Sequence, residues 1–378
     1  MCPARWLSPF VIISISRTTT KLQQKIPQLD GIRGVAILVV IIHNSGRFPR
    51  LFANGWMGVD LFFVLSGFLI TGILLDTKES EAYFKNFYAR RCLRIWPLYY
   101  SLLLFMFVLV PLLRPSDAHI IFEKSSPWWA YPLFLQNFLI PISTNAAGPL
   151  AITWSLAIEE QFYLVWAIVV RYCSYVHVRR IAIAVICLSP ALRFYLSLHQ
   201  VHLYTNVFSR LDGLMAGSFL ALVVRSEKFL PSRFVKLAWI SLFIAAPLAF
   251  VTAALNASWV VFSFTALASA AFVYLALFSA QKWLRLALTN RFLVYTGIIS
   301  YGLYLLHKIP FDAAQLLHLD RHPLLALPIT IAGGYALAAL SWNLLEKPFL
   351  RLKRFFESRP SRLEPSDSQF VLLAEPRT

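Results

Sequence analysis

Apolar stretches of about 17–22 residues recur from near residue 33 to near residue 344, and each is long enough for a helix to cross the hydrocarbon core of a bilayer. Strands of a membrane barrel would alternate with a period of two, and no such alternation is seen. Composition agrees: the chain is 58% hydrophobic and only 14% charged, against about 25% charged residues in a soluble domain. The expected fold class is an all-α polytopic membrane protein, a bundle of about ten transmembrane helices. The candidate spans are 33–46, 58–76, 95–113, 153–170, 181–197, 207–224, 237–255, 258–278, 294–310 and 323–344. A shorter apolar patch at 128–141, rich in Trp and Tyr and broken by Pro132, belongs at the interface, where such rings collect.

Orientation follows from the cations. With the N-terminus inside, the inner segments are 1–33, 77–94, 171–180, 225–236, 280–291 and 347–378, and they hold more than three quarters of all Lys and Arg. That asymmetry predicts N-in and C-in. It also accounts for the net charge of +17 without a nucleic-acid partner, because the charges sit in short clusters between apolar segments. Residues 1–27 read as a cytoplasmic leader. Residues 28–355 form the transmembrane domain, and 356–378 form a polar cytoplasmic tail expected to be disordered. The four cysteines (Cys2, Cys92, Cys173 and Cys187) have no metal-ligand spacing, and no metal is expected.

Ionisable groups inside spans are costly and are functional candidates. Arg33 and His43 lie in the first span, with Asp30 just upstream. Asp60 opens the second span, and Ser66-Gly67 within it reads mainly as a small-residue packing site. Arg90, Arg91 and Arg94 precede the third span. They are either anchors for anionic headgroups or a fork for phosphates, which guanidinium donors suit. Glu159 and Glu160 stand adjacent at the start of the fourth span, on its outer side, among Trp154, Phe162 and Tyr163. Later polar sites are Arg210 with Asp212, which read as interfacial, and Ser300, Tyr301 and His307. Glu346 and Lys347 mark the end of the last span.

Taken together, LDGIRGVAILVVIIH, GVDLFFVLSGFLIT, FYARRCLRIWPLYY, TWSLAIEEQFYL, ISYGLYLLH and EKPFLRL, in this order over residues 28–355, resemble the acyltransferase-3 family of membrane O-acyltransferases. The likeness is to stand-alone members that acetylate bacterial surface polysaccharides. It implies an enzyme of about ten helices in the bacterial cytoplasmic membrane. The enzyme would move an acyl group, usually acetyl from acetyl-CoA, to a hydroxyl of a glycan or glycolipid such as O-antigen, exopolysaccharide, a lipid-linked sugar or another glycoside. Its partners are then membrane lipids, acyl-CoA and the glycan acceptor. The family's first-helix arginine and histidine correspond to Arg33 and His43, its basic cluster to Arg90, Arg91 and Arg94, and its acidic pair to Glu159 and Glu160. Nine residues separate Arg33 from His43, where the resemblance leads one to expect ten. At about 100° per residue His43 is turned roughly 80° from Arg33, and Asn44 falls on the Arg33 face instead.

Acyl transfer needs a base for the attacking hydroxyl, and an imidazole titrates in the right range. His43 is the expected base, with Glu159 or Glu160 orienting it. The CoA phosphates are expected on Arg90, Arg91, Arg94 and Arg33. Asp30, Asn44, Asp60, Tyr301 and His307 are expected to meet the substrates. The rival class is a multi-pass carrier of a glycan or small molecule without acyl transfer. Carriers often show inverted repeats, and none is visible here.

Overall fold

The computed structural model describes residues 26–45, 53–113, 126–139, 148–226, 229–318 and 323–356, and among them every regular element is a helix. The helices are α1 (Pro27–Asn44), α2 (Met57–Asp76), α3 (Tyr83–Leu104), α4 (Trp154–Tyr172), α5 (Tyr175–Leu198), α6 (Val207–Val224), α7 (Val235–Ala254) and α8 (Ser258–Phe278). They are followed by α9 (Lys282–Leu288), α10 (Arg291–Ile298), α11 (Ser300–Leu306), α12 (Lys308–Leu316), α13 (Pro323–Ser341) and α14 (Lys347–Arg351). The expected leader up to residue 25 and the tail beyond residue 356 lie outside the described residues. Pro27 opens α1, so the first helix begins six residues earlier than its apolar run, as proline at a first helical turn allows.

Among the described residues, seven helical segments are long and apolar enough to cross a bilayer: Met57–Asp76, Tyr83–Leu113, Tyr175–Leu198, Val207–Val224, Pro231–Ala254, Ser258–Phe278 and Ala326–Phe356. An eighth arises if α10 and the helix from Ser300 to Gln315, bent by 63° at their junction, count as one. The two expected spans that fall short are α1 and α4. They carry Asp30 and Arg33, and Glu159, Glu160 and Arg171. Both helices carry candidate site residues, and both are packed into the bundle. The protein is a multi-pass membrane protein.

Polar punctuation sets several boundaries. Asn206 Oδ1 accepts from the Phe208 amide (2.9 Å) to start α6, and Asn290 Oδ1 accepts from the Phe292 amide (2.9 Å) to start α10, as N-cap residues do. Beyond Leu104, α3 continues through a widened turn at Phe105–Leu109 to Leu113. Widened turns of this kind release helices from strict register.

In lipid, helices associate through close packing of small residues rather than through apolar burial alone. The crossing of α2 and α6 is one of the closest of these contacts. A Cβ built on Gly67 would stand 1.9 Å from the Leu214 carbonyl oxygen, and one on Gly217 would stand 2.0 Å from that of Val64. Around this crossing runs the larger buried core, which includes Phe63, Tyr99, Leu102, Trp154, Ile158, Trp166 and Leu214. At the Arg33 end, Asp76 receives Arg225 Nε at 2.8 Å and Nη2 at 2.9 Å, tying the same two helices together.

Gly217→Ala should force α2 and α6 apart. The expected cost is about 1–3 kcal/mol, typical of overpacking, and it should be read as a lower melting temperature of the detergent-solubilised protein; an unchanged melt contradicts the close crossing.

Candidate functional site

The interior of the bundle carries a column of polar side chains from the Arg33 end of α1 to its Asn44 end, eleven residues or about 16 Å apart along the helix. At the lower mouth, Arg33 pairs with Asp30 one turn below (2.5 Å), and both are largely buried. Arg33 feels the charge of Arg94 on α3. Arg91 is flanked by Arg90 and Arg94, and its guanidinium lies 5.9 Å from the ring centres of Phe87 and Tyr163. The four cations named from sequence therefore converge. A fifth joins them: Lys353, in the turn after α14, sits in the field of Arg94, Arg91, Arg90 and Arg33. Sequence reasoning passed over Lys353 because it reads as one of many cations after the last span.

α3 and α4 run antiparallel. Tyr83 OH donates to the Ala167 carbonyl (3.0 Å) and Tyr88 OH to that of Leu164 (2.9 Å), which carries Arg91 up to the level of Glu160 and Tyr163. The acidic pair sits deeper than the sequence implies. Glu159 lies opposite Ser66, halfway along α2, because a helical turn at Gly148–Thr153 precedes α4 and carries the start of the helix inward. Ser66 Oγ donates to Glu159 Oε1 and Tyr163 OH to Oε2, each at 2.8 Å. Ser66 is thus a carboxylate partner rather than a packing residue, while its neighbour Gly67 is the packing residue. Both Glu159 oxygens are occupied. Glu160 differs: its neighbours are Arg91 and the donating Trp96 indole, and its Oε1 is buried with no hydrogen-bond partner, as is Arg91 Nε.

Tyr301 joins this level through a 2.6 Å hydrogen bond to the Ile95 carbonyl, within the fields of Glu346, Glu160 and Arg94. Glu346, expected at the end of the last span, is instead buried inside it and accepts from Ser341 Oγ (2.9 Å). It lies in a widened turn at Trp342–Glu346, and the helical path runs on to Phe356.

At the Asn44 end, the structure brings Asn44 and His307 together, 3.0 Å apart between Nδ2 and Nε2. His307 is only 1% exposed, in a helix whose neighbouring Tyr304 hydroxyl meets Ser155 Oγ at 2.6 Å and the Ile152 carbonyl at 2.9 Å. His43 precedes Asn44 in the last turn of α1, partly exposed, turned from the Arg33 face as the spacing predicts. The hydroxyl and imidazole are thus assembled from α1, α4 and α11, three segments distant in sequence.

Beside the column lies a second buried charge network. Asp60 Oδ1 forms an ion pair with Arg210 Nη2 (3.0 Å), and Asp212 Oδ2 forms one with Arg193 Nη1 (2.9 Å). The Arg210 guanidinium stands 3.9 Å from the centre of Phe262 and within 6 Å of the ring centres of Trp56, Phe63, Trp154 and Tyr204. Arg210 and Asp212, which read as interfacial, are fully buried. Asp60, expected to meet substrate, is ion-paired with Arg210 through Oδ1, and its buried Oδ2 has no hydrogen-bond partner. The arrangement ties α2, α5, α6 and α8 by paired charge, a register device that only the tertiary structure reveals.

The profile of an acyltransferase domain matches residues 26–343 of this chain. The chain belongs to the acyltransferase-3 family. Among curated relatives it is 36% identical over 162 residues to the peptidoglycan O-acetyltransferase OatA of Listeria monocytogenes, a match covering 40% of this chain and 25% of that protein. It is 29% identical over 358 residues to a protein of Staphylococcus aureus (strain COL) provisionally named an O-acetyltransferase, covering 88% of this chain and 58% of that one. A Bacillus subtilis protein provisionally named peptidoglycan O-acetyltransferase YrhL is 35% identical over 177 residues, 44% of this chain and 27% of its own length. The chain therefore spans well under two thirds of each of these relatives. No solved structure matches it. Lys353 lies beyond the matched residues of this family member, whereas Arg33, Arg90, Arg91, Arg94, Glu159, Glu160 and His307 lie within them.

Asp60→Ala should leave Arg210 as an uncompensated buried cation, at an expected cost of about 3–5 kcal/mol. The measurement is thermal unfolding in detergent, and a loss of under about 1 kcal/mol contradicts the buried pair.

Proposed function

We propose that this protein is an O-acyltransferase that moves an acyl group, acetyl in the simplest case, from acyl-CoA to a hydroxyl of a surface glycan. The observation that carries this reading is the convergence of five cations, drawn from α1, α3 and the turn after α14, on one end of a polar column that ends in a buried imidazole. Only one carboxylate, Asp30, forms an ion pair with any of these cations among the described residues. So much positive charge at low dielectric calls for an anion, and planar guanidinium forks suit phosphate oxygens. The nucleotide end of CoA supplies several phosphates, and its pantetheine arm is long enough to carry a thioester from that mouth toward the opposite end.

The chemistry requires a proton acceptor for the attacking hydroxyl, and an imidazole at the Asn44 end, where both His43 and His307 lie, takes it. Glu160 and Arg91, each with an unpartnered buried atom, are placed along the donor's path, while Glu159 is held by Ser66 and Tyr163. The positive-inside pattern puts the Arg33 mouth on the cytoplasmic side of a bacterial cytoplasmic membrane, where acyl-CoA is available, and the acceptor at the far side. The names of the relatives make peptidoglycan the first acceptor to test, ahead of lipopolysaccharide and exopolysaccharide.

Membranes holding the full chain, incubated with radiolabelled acetyl-CoA, should deposit label on glycan; a carrier without acyl transfer deposits none. Arg90→Ala combined with Arg91→Ala should weaken CoA binding by at least about tenfold, with a flatter dependence on salt than the wild type. Unchanged CoA affinity in that double variant returns the cluster to a role in membrane orientation.

A further inference from the structure

His307 stands between α11 and α12, buried, with its ring held in one tautomer. Nδ1 lies 3.0 Å from the Leu303 carbonyl oxygen and 2.8 Å from that of Tyr304. A carbonyl oxygen only accepts, so Nδ1 carries the hydrogen and donates it. In the neutral ring the lone pair then resides on Nε2. Nε2 faces Asn44, whose amide Nδ2 donates to it across 3.0 Å. Asn44 is the last residue of α1 and lies eleven residues after Arg33, within about 20° of the same helix face. The lone pair of His307 is therefore aimed at the helix face that carries the cation mouth, and a single amide covers it.

The surroundings suit a hydroxyl. Tyr304, its ring centre 6.3 Å from that of His307, shares a short hydrogen bond with Ser155. The charge of Lys308 acts on the imidazole. His43 is turned about 80° from the Arg33 face.

We propose that His307, through Nε2, is the base of the transfer reaction, and that Asn44 occupies Nε2 at rest in the place an acceptor hydroxyl takes during turnover. The proposal rests on acyl transfer being the activity, and it moves the base from His43, one residue before Asn44, to an imidazole 264 residues further along the chain. In the step, the acceptor oxygen bonds to the thioester carbonyl carbon while its proton passes to Nε2. Collapse of the tetrahedral adduct breaks the carbon–sulfur bond. The proton then leaves Nε2 for the departing CoA thiolate, so the ring ends neutral and the products are an O-acyl glycan and free CoA thiol. The two backbone carbonyls play the part that a carboxylate plays in a triad, fixing which nitrogen is basic.

The test uses the full chain in membranes of a deletion strain of its own host, where the natural glycan is present. It reads label transfer from radiolabelled acetyl-CoA, together with acetyl-CoA affinity of the purified protein. His307→Gln should lower transfer by about 10²–10⁴-fold, the usual worth of a positioned base, with acetyl-CoA affinity within about twofold of wild type. Transfer by His307→Gln within tenfold of wild type overturns the proposal, as does a larger loss in His43→Ala than in His307→Gln. Should His307→Gln fail to bind acetyl-CoA at all, Asn44→Asp decides. It puts a carboxylate against Nε2 and holds a proton there, so transfer at neutral pH should fall at least about tenfold with affinity retained, and unchanged transfer overturns the proposal. A wild-type protein that deposits no label overturns acyl transfer itself, an outcome distinct from an active wild type matched by its His307 variant.

Discussion

The constraint from which the rest of this structure follows is that a charged or polar side chain inside a membrane bundle must find its partner within the protein. The clearest instance is Glu159, which receives Ser66 from α2 and Tyr163 from its own helix. The Ser66 bond fixes the depth of α4 against α2. That depth in turn sets Glu160 beside Arg91 and places Trp166 where its indole donates to Thr71 at 2.8 Å. Close glycine contacts between α2 and α6 supply the approach, and hydrogen bonds between side chains supply the register.

Two kinds of buried charge result, and they differ in whether each cation is ion-paired to a carboxylate. Arg193 with Asp212 forms a closed pair, extended by the Ser263 hydroxyl, which donates to Asp212 Oδ2 at 2.8 Å. Together with Arg210 and Asp60 it behaves as a fixed joint among four helices. The cations Arg33, Arg90, Arg91, Arg94 and Lys353 form an open group whose positive charge exceeds the carboxylates paired to it. A closed network stabilises one arrangement of helices, whereas an open one is a standing attraction for an anion. Function is read from the second kind.

The polar column between the cation mouth and His307 explains why α1 and α4 fall short of an ordinary apolar span. Each spends hydrophobicity on groups that face the interior, and neighbouring helices shield them from lipid. α10 and α11 meet at a 63° bend, which lets the chain from Ser300 onward cross toward α4 and deliver both Tyr304 and His307 to the Asn44 end. Gly297, just before the bend, accepts the backbone of α1 at Asp30, so the same break that redirects the helix also seats it against α1.

Much of this was written in the one-dimensional pattern. Apolar run length determined the membrane class, and ordered motifs determined the family. The exclusion of unpaired charge from lipid marked Arg33, Arg91, Arg94, Glu159 and Glu160 before any coordinates. Helical spacing alone put Asn44, and not His43, on the Arg33 face. What the pattern lacked was the partner. Which glutamate is satisfied depends on Ser66, 93 residues away; whether His307 is solvated or sealed depends on Asn44, 263 residues away. Arg210 read as interfacial because an isolated helix gives no hint of five aromatic rings closing over it. Lys353 read as one of many cations after the last span because its four cationic neighbours come from other helices. A sequence fixes the period and polarity of each helix; only the packed bundle decides which faces meet, and with them which polar atoms are left open to a substrate.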